Sequence, residues 1–192
     1  MADSTKSAGA GASVNYSGGT IGWSNPGNIT SSNNSYATCF YNIGPVSSYY
    51  LQASEFGFEI PDGATINGIE CFIERKRDAT SAVKDVRVRI VNGDGSGGIG
   101  STDKAATSTD YPTSDGTATY GGATDTWGES WTVAEINDDD FGFVLSCAQS
   151  SFGAAATASV DHMSIKVYYT ESATTTEAPR ATTNDRCRIS FG

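Results

Sequence analysis

Hydrophobic and polar residues alternate along most of this chain with a period of two. From Tyr50 to Ile60, Phe56, Phe58 and Ile60 alternate with Glu55, Gly57 and Glu59. That is the pattern of a strand with one buried face. Pro61-Asp62-Gly63 then reads as a tight turn. Ile66–Lys76 puts Ile69, Cys71 and Ile73 on one side, with Glu70, Glu74 and Lys76 on the other beside Phe72. Val83–Val91 places Val86, Val88 and Ile90 inward and Asp85, Arg87 and Arg89 outward. Phe141–Ala148 puts Phe141, Phe143 and Leu145 on one face and Val144 on the other. In Ser159–Tyr169, Val160, His162, Ser164, Lys166 and Tyr168 alternate with Asp161, Met163, Ile165, Val167 and Tyr169. Tyr36–Ile43 is a further strand candidate, and Thr-rich pieces at Lys104–Tyr111 and Thr117–Tyr120 read as edge strands. Trp131–Ile136 fits either a strand or one helical turn before the Asp138–Asp140 run.

These runs predict eight to ten strands with turn signals between them and no amphipathic helix. The expected fold is all-β: an antiparallel two-sheet β-sandwich, jelly-roll-like, over residues 21–170. Residues 1–20 are rich in Gly, Ala and Ser and lack apolar patterning, which predicts a flexible N-terminal arm. Residues 171–192 read as a second arm, a low-complexity linker closed by Arg-Cys-Arg-Ile-Ser-Phe-Gly. The alternation of Ile189 and Phe191 in that closing stretch marks a candidate docking tail.

Composition agrees with strands and turns. Of 192 residues, 18% are charged and 22 are glycine, while helix formers are scarce. The net charge of −10 argues against sequence-independent binding of nucleic acid, which requires clustered Lys and Arg. No apolar run reaches the roughly 18 residues of a membrane span. The N-terminus lacks the apolar core of a secretory signal, so synthesis in a cytoplasm is expected.

Candidate chemistry is sparse. The single histidine, His162, sits inside a strand-like run rather than beside a nucleophile motif. Cys39, Cys71, Cys147 and Cys187 are not at zinc or redox spacing, and Cys71 and Cys147 fall in strands, where buried thiols are the expected reading. Consecutive Asp138, Asp139 and Asp140 diverge in an extended segment, so a solvated turn is preferred over a calcium loop built with Asn92 and Asp94. No catalytic, cofactor or metal site is therefore assigned, and a non-enzymatic protein is expected. Trp23, Trp127 and Trp131 are the candidate glycan or interface aromatics. The competing reading is that they seal the ends of a thin core.

Trp-x-Asn-Pro-x-Asn-Ile at 23–29, FGFEIPDGATINGIECFIERK at 56–76, GGATDTWGESWTVAEIND at 121–138, FGFVLS at 141–146 and ASVDHMSIKVYYT at 158–170 together resemble a β-sandwich of structural proteins of tailed bacteriophages. The resemblance spans residues 23–170. It implies a virion structural protein made in the host cytoplasm, first a capsid decoration or cement protein. Such a protein would bind its own copies, with a trimer the first guess, together with major capsid or tail proteins. The alternative is a tail or fibre component that binds host-surface glycans. The resemblance brings no catalytic residues with it.

Overall fold

The computed structural model describes residues 1–15, 18–42, 44, 46–78, 81–95, 98–150 and 154–173. They form nine strands, one 3-10 turn at Pro26–Ile29 and one short helix. The strands are β1 (Ala2–Ser7), β2 (Ala10–Val14), β3 (Ala37–Tyr41), β4 (Tyr50–Ser54), β5 (Thr65–Arg77), β6 (Val83–Val91), β7 (Gly116–Gly121), β8 (Gly142–Gln149) and β9 (Ala156–Thr170), with helix α1 at Val133–Asn137. Every odd-numbered strand lies in one sheet and every even-numbered strand in the other, so each connection crosses between the two layers.

The first sheet runs β1-β9-β5-β7, with β3 also on β9. β1 pairs with residues 164–169 of β9 and β3 with residues 156–160, so they share one edge end to end. The second sheet runs β2-β4-β8-β6, and all ladders are antiparallel. This is the two-sheet antiparallel sandwich, wound in jelly-roll fashion, that the alternation predicts.

The core lies between the sheets. Ile69, Cys71 and Ile73 of β5, Phe143, Leu145 and Cys147 of β8 and Met163, Ile165 and Val167 of β9 are fully buried. Burial of such side chains stabilises the fold by about 1.5–3 kcal/mol each.

Five local readings change. Residues 1–20 were expected as a free arm, yet β1 and β2 add one strand to each sheet, with Ala8 buried at the crossing. Strand addition needs only backbone N–H and C=O groups, which Ala, Ser and Thr supply without an apolar stripe. Phe56, Phe58 and Ile60 are buried as predicted, but the strand stops at Ser54. Glu55 (φ 57°) and Gly57 (φ 61°) are left-handed, so the chain leaves the ladder while still turning those side chains inward. In β6 the register shifts between Asp85 and Arg87, which makes Val86 an extra residue and turns Asp85 into the core. In β9 a second irregularity opposite Glu74 and Arg75 puts Val160 inward and His162 outward.

Lys104–Tyr111 is a loop rather than a strand, tied to β6 by Lys104 N–H to Val88 O (2.9 Å) and Tyr111 N–H to Val83 O (2.8 Å). Trp131–Ile136 resolves in favour of the helical turn. Thr132 and Glu135 form a capping box, in which the Glu135 N–H donates to the Thr132 hydroxyl (3.2 Å) and the Thr132 N–H to the Glu135 carboxylate (2.7 Å). The Asp138–Asp140 run follows as a solvated turn, where Asp138 accepts from Asp140 N–H. Ile189, Phe191 and most of the 171–192 segment lie outside the described residues.

Candidate functional site

The three tryptophans do not form an exposed row. Trp23 and Trp127 are buried, and Trp131 is half-buried with its ring edge-on to Phe141. Each indole N–H donates to a backbone carbonyl: Trp23 to Tyr49 O (3.0 Å), Trp127 to Ile69 O (3.0 Å) and Trp131 to Thr126 O (2.9 Å). Each ring therefore fastens a loop to the sandwich. Lys104 adds to the Trp127 corner by pairing with Asp125 (2.6 Å) and approaching the indole ring (5.1 Å).

The bulge in β6 creates a feature that alternation hides. Asp85 and Arg75 face each other inside the sandwich as an ion pair, with side chains 0% and 4% exposed. The Asp85 carboxylate accepts from Arg75 Nη1, Tyr111 OH (2.9 Å), Tyr120 OH (2.6 Å) and Ala106 N–H (3.0 Å). The Arg75 guanidinium also stacks over the Tyr111 ring at 3.9 Å. Burial by itself would lower the Arg75 pKa, but Tyr111, Asp85 and Tyr120 outweigh it and leave it raised. Burial likewise pushes both phenols up. The cluster acts as a polar clamp joining β5, β6, β7 and the 106–111 loop. Arg75 Nε has no hydrogen-bond partner among the described residues. Beside it a groove of about 270 Å³ runs between β7 and the loop, lined by Ala106, Pro112, Ala118 and Tyr120.

Sequence reasoning missed this clamp because Asp85 reads as an outward residue. A detectable signal was present, since Arg75 falls in the same period-two column as Ile69, Cys71 and Ile73.

A second surface is the outer face of the five-stranded sheet. Register places Tyr168, Lys166, Ser164 and His162 of β9 beside Gly68, Glu70, Phe72 and Glu74 of β5. Tyr168 OH donates to Glu70 (2.7 Å), Lys166 pairs with Asp3 (3.4 Å), and His162 Nε2 lies 2.9 Å from Ser7 Oγ. His162 is thus a surface residue next to a β1 serine.

The thiols of Cys39, Cys71 and Cys147 are free and buried. Burial raises Cys39 to about 11 and Cys147 to about 12, and holds Cys71 well above the ordinary thiol range. Cys187 lies outside the described residues. Among the described residues no three His, Cys, Asp or Glu side chains gather as a metal site, and no helix is long and apolar enough to cross a membrane.

No family model matches the chain, and no curated protein matches it. One solved structure, described as "CBM4 structure and function", aligns over 84% of this chain and 92% of its own at 11% identity, with a TM-score of 0.39. A likeness at that level carries no argument about function.

Proposed function

We propose that this chain is a non-enzymatic structural protein of a virion, first a capsid decoration or cement protein, acting through contacts between subunits. The observation that carries the reading is the way the N-terminal segment is used. Ala2–Ser7 and Ala10–Val14, mostly small residues, extend both sheets by backbone pairing, one strand on each. A chain whose terminal segments add strands to sheet edges is suited to assembly, since strand addition gains contact area without enlarging the core. The candidate aromatics and the buried charges support the same reading, because they fasten loops and strands. The sequence resemblance to phage structural proteins supplies the setting. Cryo-electron microscopy of native particles tests it. Density for the sandwich on the capsid supports decoration, density on the tail moves the protein there, and particles without the protein overturn the virion role.

A second reading, binding of a host-surface glycan, has one observation in its favour, and it does not involve the tryptophans. Phe72 and Tyr168 lie half-buried on the outer face of the five-stranded sheet, among Glu70, Glu74, Lys166 and His162. Rings beside hydrogen-bonding groups are the elements of a sugar platform. Glycan-array binding that disappears in Phe72→Ala and Tyr168→Ala would favour it, and binding that ignores both substitutions would remove it.

A further inference from the structure

The outer face of the five-stranded sheet has a second end, away from Phe72 and Tyr168. There Ala37, Cys39 and Tyr41 of β3 point into the core, which turns Thr38 and Phe40 outward. Register sets Thr38, Ser159 and Lys76 in one row across β3, β9 and β5, and Phe40 beside Thr157 in the next. Phe40 is 56% exposed, although folding draws most phenylalanines inward. A lone exposed apolar side chain is common and by itself says nothing. The setting of Phe40 is what distinguishes it. Thr157, its cross-strand neighbour, lines a groove of about 560 Å³ together with Ser159, Thr113 and Ser114.

The polar wall of that groove is fixed in advance of any ligand. Lys76 Nζ donates to Tyr36 OH (2.6 Å) and pairs with Asp115 (3.2 Å), and Tyr36 OH lies 3.0 Å from the same Asp115 oxygen. Both Lys76 and Asp115 stay partly open, with side chains 29% and 28% exposed. An ammonium has three donors and a carboxylate about four acceptor sites, more than these contacts use. Side chains already held in place lose little freedom when a ligand binds.

The geometry points to a binding site for a neutral oligosaccharide, with one sugar ring stacked on Phe40 and its neighbour seated in the groove. Charge and shape select that class. The four charged side chains on the wall, Lys76, Arg77, Asp78 and Asp115, cancel in sign, so phosphate, sulfate or carboxylate groups gain no net attraction. What the site offers is an open aromatic face beside hydroxyls and a fixed donor–acceptor pair. A pyranose carries the complement on one ring, a C–H face for the aromatic and hydroxyls for the polar groups. The volume falls within the range of about 300–1,000 Å³ usual for ligand sites. Phe40 and Lys76 stand roughly 10 Å apart across the sheet, further than one sugar ring spans, which calls for more than a monosaccharide. The site is separate from the platform at Phe72, which faces Ser164, roughly 20 Å along β9 from Thr157. It stands whether or not the virion role or the Phe72 platform does.

Isothermal titration calorimetry tests it on the full chain, with tetrasaccharides of glucose, mannose and N-acetylglucosamine as probes and sulfated and uronic-acid tetrasaccharides as acidic comparators. A neutral tetrasaccharide is expected to bind. Phe40→Ala should weaken it by about tenfold or more at unchanged melting temperature, and Phe72→Ala should leave it as it is. Hydroxyl-radical footprinting reads the unsubstituted chain and serves if Phe40→Ala fails to fold: bound sugar should lower oxidation of Phe40 and spare Phe72. Binding confined to the acidic sugars, binding that Phe40→Ala leaves intact, or no binding of any probe at millimolar concentration overturns the inference. Loss of binding in Phe72→Ala alone overturns it and returns the sugar to the Phe72 platform. Protection of Phe40 that grows with protein concentration and without sugar also overturns it and assigns the ring to a contact between subunits.

Discussion

Replacing Asp85 with alanine should be among the most damaging single changes in this protein. The substitution removes an acceptor for four donors at once: Arg75 Nη1, Tyr111 OH, Tyr120 OH and Ala106 N–H. It also leaves the Arg75 guanidinium, which keeps its proton in proteins, without its counter-charge in a place where its side chain is 4% exposed. Breaking one side of a buried ion pair costs about 3–5 kcal/mol, and the orphaned hydroxyls and amide hold the loss at the upper end of that range. A total loss of about 5 kcal/mol is a large share of the 5–15 kcal/mol that holds a typical domain together. At about 2–4 °C per kcal/mol for a chain of this size, the melting temperature should fall by about 10–20 °C. The double variant Arg75→Met/Asp85→Leu removes both charges together and should recover more than half of that loss, because buried pairs are often replaceable by apolar groups of similar volume. Urea and thermal unfolding followed by circular dichroism measure all three proteins. If Asp85→Ala lies within about 1 kcal/mol of the parent, or if the double variant is no better than the single one, the clamp does not hold these strands together.

Other outcomes follow from single contacts. Gly142→Ala should destabilise strongly, because a Cβ there would meet Ala53 O at 1.9 Å, and loss of the folded circular dichroism signal at 37 °C is the check. Trp127→Ala should cost about 3–5 kcal/mol from lost burial and leave Ile69 O without its indole donor, measured by urea unfolding. Thr132→Ala removes half of the capping box and should cost about 1 kcal/mol by the same assay. The thiols set an alkaline limit. Their folded values lie above 9.0, with Cys39 near 11 and Cys147 near 12. The stability they contribute is therefore complete below about pH 9 and is lost as pH rises toward 11–12. Chemical unfolding midpoints at pH 8, 9.5 and 11 should fall in that order, and a flat profile would contradict the burial of the thiols.

The strand content and much of the facing were legible in the sequence, because a half-buried sheet imposes period two on its side chains. Ile69, Cys71 and Ile73, like Phe143 and Leu145, point where alternation puts them. Trp131–Ile136 stays open between strand and helical turn in the sequence, and the capping box of Thr132 and Glu135 decides it. The remainder was decided by the tertiary structure. The N-terminal strands carry no apolar stripe because sheet edges recruit them through the backbone, and backbone groups leave no trace in composition. Asp85 faces inward because one extra residue at Val86 shifts the phase of the strand, so the residues before it break the alternation of Val88 and Ile90, and a bulge has no fixed sequence signature. The burial of Trp23 and Trp127 depends on carbonyls at Tyr49 and Ile69, far away in the chain. The sequence determined that this protein is a sandwich with little charge and much turn. Long-range pairing decided which of its polar and aromatic residues became fasteners and which were left at the surface.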